Sequence, residues 1–207
     1  MSLAHRTIKI VLLGEGRVGK TSLALRFVHN TFSHSQQATL QASFLSKRVA
    51  AGGKEVELAV WDTAGQERFH ALGPIYYRDA QAALLVYDIT DADSFTRVQT
   101  WVQELLQMVG PSIVIAIAAN KQDLRKQQVV SSTESEAYAA SIGALHFSTS
   151  AKTGEGLQDI FQAIADTVVA RTPTSGDSQR GRAGARLCIV DDLDGQPRST
   201  SKSSMCC

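Results

Sequence analysis

Apolar and polar positions alternate in two distinct periods over the first 171 residues, and the pattern then stops. Ile8–Leu13 is an apolar run broken only by Lys9 and ending at Gly14, as expected of a strand buried on both faces. Ser43–Val49 and Lys54–Trp61 flank the turn signal Ala50-Ala51-Gly52-Gly53 and predict a β-hairpin. In its second arm Val56, Leu58 and Val60 alternate with Glu55, Glu57 and Ala59, which marks one face for burial. Ala82–Tyr87, Ile113–Ala119 and Leu145–Thr149 supply three more strands. Between them the period changes. Residues 20–30 predict a helix entered through Gly19, and Phe95, Val98, Val102, Leu105 and Val109 form a helical stripe that Gly110-Pro111 stops. Ser131 with Glu134 predicts a capping box opening a third helix, and Leu157, Ile160, Phe161, Ile164 and Val168 stripe a fourth. These stripes read as core packing. Together the elements predict an α/β fold: a six-stranded, mostly parallel sheet with one antiparallel edge strand and helices on both faces. Such sheets bind ligands at the carboxyl ends of their strands.

Composition narrows the picture. The chain has 207 residues, 43% of them hydrophobic, enough for one core of domain size. Its formal net charge is +1, from 21 basic and 20 acidic residues, which gives no bulk attraction for nucleic acid. Residues 1–171 are expected to form the folded domain and 172–207 a flexible tail. That tail holds six serines, three threonines, four glycines and two prolines among its 36 residues, and its apolar island is Leu187–Val190. The longest apolar run, Ile113–Ala119, has seven residues, against roughly 18 needed to span a bilayer. No apolar stretch long enough for an export signal precedes Ile8. The three cysteines, Cys188, Cys206 and Cys207, all lie in the tail, so a disulfide framework is not expected. The five histidines show no Cys/His ligand spacing, and no structural zinc is expected.

Three motifs at strand ends carry chemistry. Gly14-Glu15-Gly16-Arg17-Val18-Gly19-Lys20-Thr21 fits Gly-x4-Gly-Lys-Thr between a strand and a helix, the context of a P-loop NTPase. Its glycines allow a nest of inward N–H groups for phosphate oxygens, helped by the helix dipole. Lys20 would meet the β- and γ-phosphates, and the Thr21 hydroxyl can ligate Mg²⁺. Next, Asp62 in Trp61-Asp62-Thr63-Ala64-Gly65-Gln66 can hold Mg²⁺ through water. Gly65 can offer its N–H to the γ-phosphate, and Gln66 can orient a water for in-line attack. Last, Asn120-Lys121-Gln122-Asp123 and Ser150-Ala151-Lys152 follow two strands. A buried Asp123 carboxylate accepts from N1–H and the exocyclic amine of guanine, donors that adenine lacks on that edge. The mismatch can discriminate by ~10⁴ or more.

With these motifs in order, residues 6–171 resemble the small GTPases of the Ras superfamily. Within it, Trp61–Phe69, Tyr76-Tyr77-Arg78-Asp79-Ala80 and Leu85–Thr90 resemble the Rab family. Gly14-Glu15-Gly16, Thr39–Phe44 and Glu67–Ala80 are most similar to its endosomal subgroup. The resemblance implies a switch I threonine at Thr39, ligating Mg²⁺ and sensing the γ-phosphate, and Phe32 packed edge-on against guanine. It implies backbone from Arg17 through Val18 to Ser22 around the nucleotide, the Lys121 stem over one face of the base, and the Ala151 N–H on guanine O6. Switch II would run from Gly65 through Arg68, Phe69 and Leu72 to Tyr77. Leu40, Phe44, Trp61, Phe69, Leu72 and Tyr77 would form the surface that effectors read. Leu40-Gln41-Ala42-Ser43-Phe44 departs from the Ile-Gly-x-x-Phe of many Rabs, which weakens transfer of partner identity. Gly16, without a side chain, leaves the γ-phosphate unobstructed.

The expected function is a Rab-type GTP/GDP switch that hydrolyses GTP slowly, for want of an arginine reaching the site in cis. Arg17 should point outward. The terminal Cys206-Cys207 resembles a dual geranylgeranylation site, since Ser204 stands where a Cys-a-a-X box needs cysteine. Two lipid chains give the stable anchoring that one cannot. With five basic and four acidic residues, the tail has no polybasic patch to supply the second signal. Expected partners are an exchange factor, an activating protein, a GDP-dissociation inhibitor, a prenylation escort protein and GTP-state effectors. The chain is expected to be a monomer on the cytoplasmic face of endomembranes, at early endosomes, with a cytosolic GDP-bound pool. A metabolic P-loop kinase or ATPase would leave Asn120–Asp123 and Ser150–Lys152 unexplained. A non-hydrolysing interaction platform would leave Gln66 and Gly16 without purpose.

Overall fold

The computed structural model describes residues 6–39, 42–63 and 77–172. These residues build one sheet in the order β2-β3-β1-β4-β5-β6. The strands are β1 (Arg6–Leu13), β2 (Ser43–Ala51), β3 (Lys54–Asp62), β4 (Ala82–Asp88), β5 (Val114–Asn120) and β6 (Leu145–Ser148). All neighbours run parallel except the β2–β3 pair, which leaves β2 as the antiparallel edge. Among the described residues the α-helices are α1 (Lys20–His29), α2 (Ala92–Val109), α3 (Ser132–Ser141) and α4 (Leu157–Arg171). The fold class and the edge strand are those expected from the hydrophobic pattern. No helix among the described residues is long and apolar enough to cross a membrane.

The run in β1 is nearly continuous because successive side chains enter opposite layers. Ile10 and Leu12 join α1 and α4 on one face, while Val11 and Leu13 join α2 and α3 on the other. The first layer centres on Phe27 stacked on Phe161, with ring centroids 3.8 Å apart. In the second, Tyr87 and Tyr138 flank Phe95, at 5.0 and 6.0 Å.

Boundaries differ from expectation where pairing or capping overrides pattern. The hairpin keeps its ladder to Ala51↔Lys54, so only Gly52 (φ +57°) and Gly53 (φ +73°) turn. Two consecutive positive φ values give the tight turn that suits strand twist. β1 starts early because Arg6 pairs with Val56, and β6 ends one residue short of Thr149. Asp91 caps α2 by accepting from the N–H groups of Asp93 and Ser94. Ser131 likewise accepts from the Glu134 N–H, the half of the expected capping box that the structure displays. A 3₁₀ helix, Gln122–Gln127, has no periodic signature and was not expected. In the parallel strands the carboxyl ends bring Leu13, Asp62, Asp88, Asn120 and Ser148 to one edge of the sheet.

Candidate functional site

A cleft of about 840 Å³ opens at that edge. It is lined by the loop between β1 and α1, by residues 32–39, and by the loops after β5 and β6. The β1–α1 loop is fixed by sterics. Gly14 sits at φ +135°, where a Cβ would lie 2.2 Å from the Val86 carbonyl oxygen. Gly19 sits at φ +97°, where a Cβ would lie 2.6 Å from Asn120 Nδ2. No side chain fits either place, which is why the loop needs glycine there.

The loop wraps around an ammonium. Lys20 is only 5% exposed, and its Nζ donates to the carbonyl oxygens of Gly14 (2.8 Å) and Glu15 (2.9 Å). Burial pushes its pKa down to about 8, against the raising effect of Asp62 and Glu15. A phosphate here would restore the charged form, so the loop is built for an anion. Arg17 is exposed, with left-handed backbone at φ +68°, and lies among the residues that line the cleft. Val18 buries its side chain in the core, so its part in the loop is its backbone.

Beside Lys20 three oxygen-bearing side chains converge. Thr21 Oγ1 donates to Asp62 Oδ2 at 2.7 Å and lies 2.7 Å from Thr39 Oγ1. Asp62 is fully buried, and its Oδ1 has no hydrogen-bond partner. Desolvation raises the Asp62 pKa, against the lowering effects of the Thr21 hydroxyl, the Lys20 ammonium and the nearby Ser43 hydroxyl. An orphaned buried carboxylate oxygen behind two hydroxyls fits a small hard cation that prefers oxygen donors, as Mg²⁺ does.

The far end of the cleft is held by Asn120, 1% exposed. Its Nδ2 donates to the Val18 carbonyl oxygen at 2.8 Å. Its Oδ1 accepts from the Ala151 N–H at 3.2 Å and the Thr149 hydroxyl at 3.4 Å. One amide therefore ties three loops together, a structural role that the motif reading missed. Asp123 accepts from the Ser150 hydroxyl at 2.7 Å, and its other oxygen lies 3.7 Å from Lys152 Nζ. Glu15 accepts from the Gly16 N–H at 3.1 Å and meets Arg97 at 3.7 Å. That pair joins residues far apart in sequence, and no local signal announces it.

Most residues picked from sequence meet here. Gly16, Arg17, Gly19, Lys20, Thr21, Ser22, Phe32, Thr39, Asn120, Lys121, Asp123, Ala151 and Lys152 line the cleft. Gly14, Val18, Asp62 and Ser150 stand behind that lining. Leu124, on the unforeseen 3₁₀ helix, also lines it, as do Ser33, His34, Gln36, Gln37 and Ala38. Phe44 is 55% exposed and meets Trp61 edge-on at 5.7 Å, as an outward-facing aromatic pair. Tyr77, expected on the same surface, is a core residue instead. Its ring packs in the layer with Val11, Leu85 and Val102 and is 2% exposed. Burial of its phenol also raises the pKa. Leu40, Gly65, Gln66, Arg68, Phe69, Leu72, Cys206 and Cys207 lie outside the described residues.

Residues 9–170 match the model of the Ras family. The chain is 50% identical over 207 residues to the Ras-related protein Rab-21 of Rattus norvegicus, covering 97% of this chain and 92% of the relative. The Homo sapiens protein of that name is also 50% identical, with 97% and 91% covered. That of Dictyostelium discoideum is 44% identical over 214 residues, with 100% and 99% covered.

Proposed function

Because this chain belongs to the Ras family of small GTPases, in its Rab-21-like branch, we propose that it is a slow, magnesium-dependent timer of early endocytic traffic. It binds GTP and GDP, hydrolyses GTP, and acts in membrane trafficking through regulators and effectors, as Rab proteins do. The finer reading rests on its residues. The observation that carries it is the contact of Thr39 Oγ1 with Thr21 Oγ1, which links the loop after α1 to the phosphate loop. A ligand that draws both hydroxyls together would order the loop carrying Thr39, and losing the γ-phosphate would release it.

The roles follow from placement. Lys20 neutralises phosphate charge from a nearly dry position. Mg²⁺, when bound, supplies further charge neutralisation at the phosphate oxygens. Thr21 and Thr39 would hold it directly and Asp62 through water. Asp123 accepts the two guanine donors, and Ser150 and Lys152 fix its carboxylate. Gln66 orients the water whose oxygen bonds to the γ-phosphorus while the bond to the bridging oxygen breaks, giving GDP and phosphate.

An activating partner that brings an arginine to the γ-phosphate would accelerate turnover by ~10³–10⁵. An exchange factor, an activating protein, a GDP-dissociation inhibitor and a prenylation escort protein complete the cycle. Residues 1–171 act as the switch domain, and 172–207 as the tether to early endosomes through two prenyl groups on Cys206 and Cys207.

Single-turnover hydrolysis of GTP by purified protein tests the timer. Slow decay, slower still in Gln66→Leu, is expected. A rate near 10 per second without a partner, typical of metabolic enzymes, would refute it. In cells, N-terminally tagged wild type and Gln66→Leu should overlap an internalised fluid tracer at early times, and Thr21→Asn should not. Exclusion from tracer at all times would remove the endocytic assignment and leave the GTPase intact.

A further inference from the structure

We propose that Asp88, which does not itself line the cleft, is a positioning residue for the nucleotide base and acts by holding the Lys121 side chain in place. The inference rests on reading Lys121 as the side chain that covers one face of the guanine. Asp88 is the last residue of β4, and the parallel register sets it opposite Asn120, the last residue of β5. Lys121 follows at once, in left-handed backbone with φ +69°, an uncommon conformation for a side-chain-bearing residue. Its Nζ lies 2.6 Å from Asp88 Oδ2. The other carboxylate oxygen, Oδ1, accepts from the Thr90 N–H at 2.9 Å and the Thr90 hydroxyl at 2.7 Å. Asp88 is 7% exposed, so both oxygens are committed within the protein.

The arrangement has a thermodynamic consequence. A free lysine carries rotamer entropy that a base packing on its stem would have to remove. An anchor at the ammonium end removes much of that freedom before the nucleotide arrives, so less is lost on binding. The carboxylate also balances a cation that would otherwise sit unpaired at the wall of the cleft. Lys121 lines the cleft and Asp88 does not, so the acid influences the ligand only through the lysine.

The test is release of a fluorescent GDP analogue from the full chain with Mg²⁺ present. Asp88→Asn keeps an acceptor for Thr90 but turns an amide toward the ammonium. Release of GDP and of inosine diphosphate should both quicken, by about tenfold, with their ratio unchanged because Asp123 still reads the base. Lys121→Met keeps an apolar stem without the charge and should itself quicken release. In that background Asp88→Asn should add less than twofold. Thr90→Val removes one hydrogen bond to Asp88 but leaves the ion pair, and its release should stay within twofold of wild type. Should the asparagine variant not fold, Asp88→Ser serves in its place. Release within twofold of wild type in the Asp88 variant would overturn the proposal. So would an equal effect with or without Lys121, or an equal effect of Thr90→Val, since each marks a structural role. If Lys121→Met alone left release unchanged, the reading of Lys121 as a base contact would fall first.

Discussion

Replacing Asn120 by alanine separates two meanings of the same motif residue. A residue that only contacts the nucleotide would, when removed, weaken binding and leave the empty protein as stable as before. The structure gives Asn120 three partners inside the protein: the Val18 carbonyl at 2.8 Å, the Ala151 N–H at 3.2 Å and the Thr149 hydroxyl at 3.4 Å. At 1% exposure no water can replace them without entering a packed site. Leaving a buried donor or acceptor unpaired costs about 1–3 kcal/mol each. The Thr149 hydroxyl can rotate toward another acceptor, so two orphaned groups set the scale, a loss of about 2–6 kcal/mol. Against a total stability of about 5–15 kcal/mol this is a large fraction. The assay is urea unfolding of protein stripped of nucleotide, because bound GDP would mix lost affinity into apparent stability. Asp123→Ala is the matched comparison. Asp123 has the Ser150 hydroxyl and a longer contact to Lys152, so its loss should cost the empty protein under about 1.5 kcal/mol while weakening guanine binding strongly. An Asn120→Ala protein within 1 kcal/mol of wild type when empty would refute the reasoning.

Further outcomes follow from other parts of the site. The Lys20 pKa of about 8 in the free protein rises when a phosphate neutralises the site, so binding takes up a proton above that pH. GDP affinity should therefore be level below about pH 8 and fall by up to tenfold per unit above it, read by titration at pH 7, 8 and 9. A rise of affinity over that range would contradict the burial argument. Gly14→Ala drives a Cβ to 2.2 Å from a backbone oxygen at φ +135°, so the variant should bind no GDP and unfold well below wild type in a thermal melt. Phe161→Ala removes the ring stacked 3.8 Å from Phe27 and should cost about 3–5 kcal/mol in urea unfolding, with the GDP site unchanged in the folded fraction. Cys206→Ser with Cys207→Ser should leave a folded, GDP-binding protein that no longer sediments with membranes, and continued sedimentation would refute the two-lipid tether.

The sheet and the phosphate site were legible because each rests on a local pattern. Ile8–Leu13 had to be a central strand, since its side chains fill both layers, and Gly14 and Gly19 are glycines for reasons their own backbone states. The fold class followed from counting such runs. The 3₁₀ helix at Gln122–Gln127 was not legible, because six residues with none buried carry no periodic imprint. Tyr77 was misread for a related reason. It follows Tyr76 in a segment where a surface role was expected, and only the packing of β1, β4 and α2 shows that its ring points inward.

What stayed hidden at the site shares one cause: it depends on register between strands. Three strands close on a polar residue at the cleft edge, and each of those residues is bonded to a side chain or loop of the candidate site. Asp62 ends β3, Asp88 ends β4 and Asn120 ends β5. Read along the chain, each is a polar residue closing a hydrophobic run, and many strands end so. Read across the sheet, Leu12 lies beside Asp62 and Asp88 beside Asn120. That register puts Asp62 against Thr21 at one end of the cleft and Asp88 against Lys121 at the other. The two acids thus play parallel parts from the strands on either side of β1, each bonded to a residue that follows the strand beside its own. The motifs named Asp62, since its sequence neighbours are distinctive. They did not name Asp88, whose importance lies in the strand beside it.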